Sequence, residues 1–340
     1  MRIAALKGPS EFVIEEVPAP QIAADEVLVR VAACGVCTSE LDTWLGGGQP
    51  DDPLYLGHEV SGTVADAGSA VSEPAVGDGV GVWVTSRGFA EYVAVKAAYC
   101  RPAGDVPLEL AMAEPLACAA NAVELADVRL ADDVVIVGAG FMGNLVQELV
   151  SLRGIRRLVV ADTRPDALER ATRLGATRVV QVGVEPLADV VSELTGGRGA
   201  DVTFECTGSQ GALVSVGDVT RMSGKIVLVG FHQGEPRSIP LALWNWMAFT
   251  IVNAHFREVS TIMRGMTVGM RLLASGIVSL EPLVTHRFAL DDIGEAFRTS
   301  LEKPPGFVKA VVTFANAPRE LRDSRPSGSP HRVHFPAIDG

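Results

Sequence analysis

Cysteine, positive charge and unbroken apolar sequence are all scarce in this chain. Five cysteines stand among 340 residues, at positions 34, 37, 100, 118 and 206. A set this sparse and odd in number excludes a disulfide framework. Cys34-x-x-Cys37 has redox-motif spacing, but it follows an alternating strand instead of opening a helix, and no second pair accompanies it. Acidic residues outnumber basic ones 41 to 29, for a formal net charge of −12. No basic patch is present, so the surface that nucleic acid or an anionic membrane requires is missing. No apolar run reaches the roughly 20 residues that span a bilayer. The longest, 241–256, is interrupted by Asn245, Thr250, Asn253 and His255. The opening stretch from Met1 to Pro9 is too short and broken for a secretory signal. There are no internal repeats. The expectation by elimination is a soluble cytoplasmic protein.

What is present is an ordinary globular composition, 48% hydrophobic and 21% charged, with length enough for two domains. Residues 1 to about 100 read as β-rich. Short runs at 3–6, 12–17, 27–31, 60–65, 80–84 and 90–95 are separated or bounded by glycine and proline, as in a small, strongly bent barrel. No helix period is sustained there. Near Glu109 the pattern changes, and Pro115 opens a helical stretch over 116–125. Strands at 134–137, 158–161, 179–180, 202–204 and 226–229 then alternate with helices at 144–153, 165–174, 186–194 and 210–220. Thr163 is the expected N-cap of the second of these helices, with Asp166 in its first turn. Such alternation predicts an α/β fold with a doubly wound parallel sheet. Beyond His255, helices at 260–275 and 291–301 precede a strand at 308–314. The segment 315–340, rich in Pro, Ser, Arg and Gly, reads as a disordered tail.

Two stretches carry chemistry. Gly138-Ala139-Gly140-Phe141-Met142-Gly143 follows a buried strand and opens a helix, the context that turns a glycine pattern into a dinucleotide loop. Gly138 makes the tight turn, Gly140 admits the pyrophosphate, and Gly143 lets helix and sheet close up. The helix N-terminus faces the phosphates. Asp162, about 20 residues on, suits the ribose hydroxyls and favours NAD, while Arg164 leaves NADP open. Its plainer reading is helix-start electrostatics. The second stretch is Cys37-Thr38-Ser39-Glu40 with Gly57-His58-Glu59. Thiolate, imidazole and carboxylate are donors suited to zinc; the alternative is a set of buried side chains. A hydride carrier beside a Lewis acid interconverts alcohols and carbonyls.

These stretches, together with Val60-Ser61-Gly62, Val76-Gly77-Asp78, Glu114-Pro115-Leu116, Glu205-Cys206-Thr207-Gly208 and Pro282-Leu283-Val284-Thr285-His286-Arg287-Phe288, make the chain resemble the zinc-dependent medium-chain dehydrogenase/reductase family from Met1 to Phe314. The branch it resembles is the sorbitol- and threonine-dehydrogenase-like one. The resemblance implies a GroES-like β-barrel catalytic domain over 1–118 and a Rossmann NAD-binding domain over 119–254, with a return to the catalytic domain over 255–314. It implies a metal set of Cys37, His58, Glu59 and Glu114, and leaves open whether each glutamate binds directly or through water. Cys118, four residues after Glu114, is a fallback ligand, the plainer reading being a buried thiol. Ser39, Glu40 and Glu59 carry catalytic roles by resemblance: Ser39 bonds the substrate oxygen, and Glu40 orients His58 unless it is merely solvated. Gly138, Gly140, Phe141, Met142, Gly143, Asp162, Arg164, Cys206 and Thr207 are the implied cofactor contacts. Lys309 matches a basic residue that reaches the cofactor, with a solvated surface lysine as the alternative.

Two departures stand out. Asp42 occupies the position where many relatives carry the histidine that ends a proton relay. The four-cysteine structural zinc lobe is missing between Trp83 and Phe89, so one zinc per subunit is expected. Among other candidates, Asn121 is placed to bond substrate, and Trp44, Trp83, Trp244 and Trp246 read as core or pocket. His255 and His286 read as structural, and His232 has no assignment. The resemblance thus implies a zinc- and NAD-dependent oxidation of a secondary alcohol of a polyol, sugar or (amino)cyclitol, in a homodimer or homotetramer. The rivals are a metal-independent NADPH enone or quinone reductase and a non-catalytic nucleotide-binding protein.

Overall fold

Valine-rich runs become the strands of two large sheets. The structure, a computed structural model, describes residues 1–314; the predicted tail, 315–340, lies outside the described residues. The first sheet has six strands in the order Arg178–Gln181, Arg157–Asp162, Asp133–Val137, Ala200–Glu205, Thr220–Leu228 and Thr250–Asn253. All its pairings are parallel. Val134, Val135, Ile136 and Val137 are buried, because helices cover both faces of a parallel sheet and leave no side for polar alternation. The sequence order reverses around Asp133–Val137, the switch point where α/β sheets bind ligands. Sequence periodicity missed the last strand, which lies inside the 241–256 apolar run together with the short helix Leu241–Trp246.

Helix boundaries moved where local chemistry outweighed periodicity. The helix after the glycine loop is Phe141–Ser151, starting three residues earlier than the predicted 144. Thr163 does not cap the next helix. Pro165 occupies the first turn, so Arg164 takes the N-cap in an extended conformation with no side-chain cap. A true side-chain cap sits further on, where Ser209 accepts a hydrogen bond from the Ala212 amide at the head of Gln210–Val219.

The second sheet has seven strands. Its path runs Val284–Ala289, Lys309–Thr313, Glu26–Gly35, Glu59–Ala67, Gly79–Trp83 and Cys100–Pro102, with Tyr92–Lys96 added on Glu26–Gly35. Glu26–Gly35 faces Glu59–Ala67 along one edge with two register shifts. Its other edge is divided, Glu26 to Arg30 pairing with Tyr92–Lys96 and Ala33 to Gly35 with the late strand Lys309–Thr313. The N-terminal region also holds one helix that periodicity missed, Leu41–Gly46.

The helices Ala113–Ala126 and Val259–Ala274 pack against each other where Gly265 and Gly269 admit Asn121 and Leu116. Asn121 is 3% exposed and donates to the Thr261 carbonyl at 3.1 Å. It ties two helices together instead of bonding substrate, a correction to the sequence reading. One apolar cluster joins Met112 and Leu116 to Ile136 and Val160 of the parallel sheet and to Met266. No described helix is long and apolar enough to cross a membrane.

Candidate active site

The glycine loop and the cysteine–histidine stretch open onto one cavity of about 1530 Å³. That is larger than the ~300–1,000 Å³ typical of a single small-ligand pocket, and it suits a dinucleotide with a second molecule. At the nucleotide end, Gly138 has φ +103 and an added Cβ there would lie 2.6 Å from Thr207 Cγ2. A Cβ at Gly143 would collide with the Gly138 carbonyl oxygen, whereas one at Gly140 meets nothing. The open space lies where a pyrophosphate would approach. Asn144, fully buried, braces the turn by donating to the Ala139 and Gly140 carbonyls at 3.1 and 2.8 Å. Sequence reading missed it, although a polar residue inside an apolar helix start was the available signal.

Asp162 ends its strand on the cavity wall. Oδ2 accepts from the Ala139 amide at 2.7 Å and Oδ1 from the Arg164 amide at 2.9 Å. Arg164 donates to the Phe307 carbonyl at 3.2 Å, so its guanidinium links the two sheets' segments. Phe141, Met142, Cys206 and Thr207 line the same end. Thr207 is held by Glu205, whose Oε1 accepts from its amide at 2.7 Å and from its hydroxyl at 2.6 Å.

At the other end, Cys37, His58 and Glu59 each present a donor atom, all within 4.8 Å of one another. Cys37 precedes a single 3-10 turn, and Glu59 begins the strand that pairs with Glu26–Gly35. Glu40 is 7% exposed, not solvated. Its Oε1 accepts from the Gly57 amide at 2.7 Å and contacts His58 Nδ1 at 3.0 Å. That contact leaves Nε2 as the remaining ring donor. Burial alone would lower the His58 pKa, but hydrogen bonding to Cys37 and Glu40 holds it well above the ordinary value. Ser39 donates to Cys37 Sγ at 3.2 Å and lines the cavity.

Lys309 is no surface lysine. It is 4% exposed, donates to Glu59 Oε1 at 2.7 Å and sits 4.6 Å from the Phe141 ring centroid. Its nitrogen is also 2.6 Å from Glu59 Oε2, but outside hydrogen-bonding geometry, which leaves that oxygen without a bonded partner. Burial would lower the Lys309 pKa; Glu59 and Cys37 outweigh it and raise it. Glu114 lines the cavity but is not among the three clustered donors. Burial pushes its carboxyl up, with the Glu59 charge adding, while His58, the Cys118 thiol and Lys309 oppose the rise.

The donor set fits a zinc ion: sulfur, nitrogen and oxygen are gathered at a cavity wall. Other candidates fall elsewhere. Cys34 is buried beside its own turn, donating to the Gly35 carbonyl at 3.7 Å. Asp42 is exposed and does not line the cavity. Trp83 lines it, Trp44 and Trp244 are core, and Trp246 is 77% exposed. His255 also lines it, with Nε2 3.3 Å from the Gly230 carbonyl. His232 lies 2.9 Å from Glu205. Gln233 and Arg257, unnoticed in the sequence, add polar groups to the cavity.

Comparison with known proteins places these features in context. The family model described as alcohol dehydrogenase GroES-like domain matches residues 23–105, and that described as zinc-binding dehydrogenase matches 142–270. Sorbitol dehydrogenase of Macaca fascicularis is 30% identical over 328 residues, covering 86% of this chain and 90% of that protein. Sorbitol dehydrogenase of Bacillus subtilis is 28% identical over 348 residues, covering 92% and 97%. Among solved structures, an Escherichia coli oxidoreductase/dehydrogenase of unknown specificity superposes with TM-score 0.84 at 26% identity, covering 93% of this chain and 99% of that one.

Proposed function

Since this chain belongs to the zinc-dependent medium-chain dehydrogenase family, we propose that it oxidises a secondary alcohol of a polyol, sugar or (amino)cyclitol with NAD. The observation that carries the reading is one cavity holding both a glycine loop at a helix N-terminus and three metal donors within 4.8 Å. The sorbitol dehydrogenases among its relatives support a polyol. When bound, zinc supplies the Lewis acidity that acidifies a hydroxyl, and NAD supplies the hydride acceptor.

The chain's own residues do the rest. Cys37, His58 and Glu59 would hold the metal, with Glu114 lining the same cavity as a fourth candidate. Glu40 fixes the His58 ring through Nδ1. Ser39, already a donor to Cys37, accepts a hydrogen bond from the substrate's hydroxyl and relays its proton by giving up its own to cavity water in the same step, since Asp42 stands outside the lining. Lys309 balances the Glu59 charge. Asp162 offers the ribose its remaining lone pairs, which disfavours a 2′-phosphate by repulsion. Trp83, Phe231 and Phe256 add aromatic surface to the cavity wall.

We divide the chain into a catalytic part over 1–118 and 255–314 and a nucleotide-binding part over 119–254. A homodimer or homotetramer accords with the family. All five cysteines are free thiols, which suits a reducing cytoplasm. The test is metal analysis of purified protein followed by NAD reduction across sugars, inositols, aminocyclitols and small diols. One equivalent of zinc per chain, with chelator-sensitive turnover on a polyol, is expected. Full activity without zinc would favour the metal-independent reductase, and NAD binding with no turnover a non-catalytic protein.

A further inference from the structure

The helix Ala113–Ala126 is rich in alanine. Between Ala111 and Val123 every residue is buried except Glu114 and Cys118, which are half-buried and line the cavity. They lie one helical turn apart, the i, i+4 spacing that brings side chains together. Cys118 Sγ donates to Glu114 Oε1 at 3.3 Å. Among the described residues no other hydrogen bond reaches the Glu114 carboxylate. His58, Glu59 and Lys309 line the same cavity. Glu114 thus shares a cavity wall with Cys37, His58 and Glu59, while one of its oxygens is tied backwards to its own helix.

We propose that Cys118 is a positioning residue for Glu114. The thiol fixes one carboxylate oxygen and so presents the other toward the ion held by Cys37, His58 and Glu59. Cys118 itself remains a thiol and does not become a second thiolate ligand. This deepens the metal-site reading above and rests on it. The physical reason is rotameric. A glutamate stem has freedom that burial must remove, and a buried carboxylate oxygen without a donor is costly. Alanine at 118, like its neighbours in this helix, would supply neither constraint nor donor.

Cobalt substitution tests the assignment, because thiolate-to-cobalt charge transfer scales with the number of bound thiolates and the visible bands report ligand geometry. The parent protein is expected to show the intensity of one thiolate, from Cys37. C118A is expected to keep that intensity, shift the visible bands, and weaken zinc binding about tenfold in a chelator competition, the size of effect typical of groups that orient metal ligands. C118S, which keeps a donor in place, is expected to recover most of the loss. Alanine is the best helix former, so C118A should fold, and a matching far-UV circular dichroism spectrum checks this. Loss of half the charge-transfer intensity in C118A would make Cys118 a ligand and overturn the proposal. So would unchanged zinc affinity in C118A where E114A loses it. Absence of any thiolate band in the parent protein would instead remove the metal-site reading itself.

Discussion

Two buried acidic groups invite comparison. Asp133 and Asp201 stand near the starts of adjacent parallel strands, remote from the cavity lining. Asp133 pairs with Arg156, Arg157 and Arg198, and Asp201 with Arg198 and Arg221. Two carboxylates thus meet four guanidinium groups. At the cavity, Glu40, Glu59 and Glu114 surround Cys37 and His58 with one ammonium, that of Lys309. The first cluster is saturated with cations and its oxygens are spent on structure. The second has a single permanent cation and keeps a thiol, an imidazole and a carboxylate within reach of one another, donors that a divalent cation would complete.

The comparison breaks most severely at Cys37. Removing a donor atom should cost more than removing a group that merely orients one, which is worth about 10–100-fold. Cys37→Ser is therefore expected to lower zinc-dependent turnover at least about a hundredfold, read as kcat alongside zinc content, while the melting temperature of the metal-free protein stays near that of the parent. Asp133→Asn should do the reverse. It leaves arginines uncompensated and should destabilise by about 2 kcal/mol, less than a fully buried pair, with no loss of zinc; the arginines are 31–47% exposed. Burial alone would raise the Asp133 and Asp201 pKa values, but the arginines hold both below the ordinary range. Their contribution is complete above an unfolded pKa of about 3.9 and is lost as pH falls through the lower folded value. Denaturant titrations against pH should show a flatter acid limb in Asp133→Asn.

Glu40→Gln sharpens the comparison at intermediate size. It keeps the shape but gives up charge assistance to His58 and the Gly57 amide, and zinc affinity should fall about tenfold in a chelator competition. Ser209→Ala is the smallest. It removes the cap of Gln210–Val219 and should cost about 1 kcal/mol in urea melts while leaving zinc affinity unchanged.

Legibility followed range along the chain. The glycine loop, its strand and its helix are local, so the pattern 138–143 revealed them, missing only the helix start and the bracing by Asn144. The donor set was partly visible because Cys37, His58 and Glu59 lie within a short stretch. Lys309 was named from the resemblance as a cofactor contact, but its pairing with Glu59, 250 residues away, was not legible, because a lysine in an apolar run carries no signal of what it faces. The same limit hid His255, Gln233 and Arg257, whose place on the cavity wall depends on how strands assemble. Thr163 misled for the opposite reason: a good capping residue was present, but with the helix starting at Pro165, as expected, the N-cap falls on Arg164.

The divided edge of Glu26–Gly35 has a bearing on the order in which the protein matures during translation. The parallel sheet draws its strands from residues 133–253, an uninterrupted stretch that a nascent chain can assemble once it has emerged from the ribosome. The other sheet keeps a gap beside Ala33 to Gly35 until Lys309–Thr313 is made. That late strand brings the ammonium that pairs with Glu59, so the dinucleotide cradle is encoded in one shorter reach of chain than the metal donors together with their counter-charge.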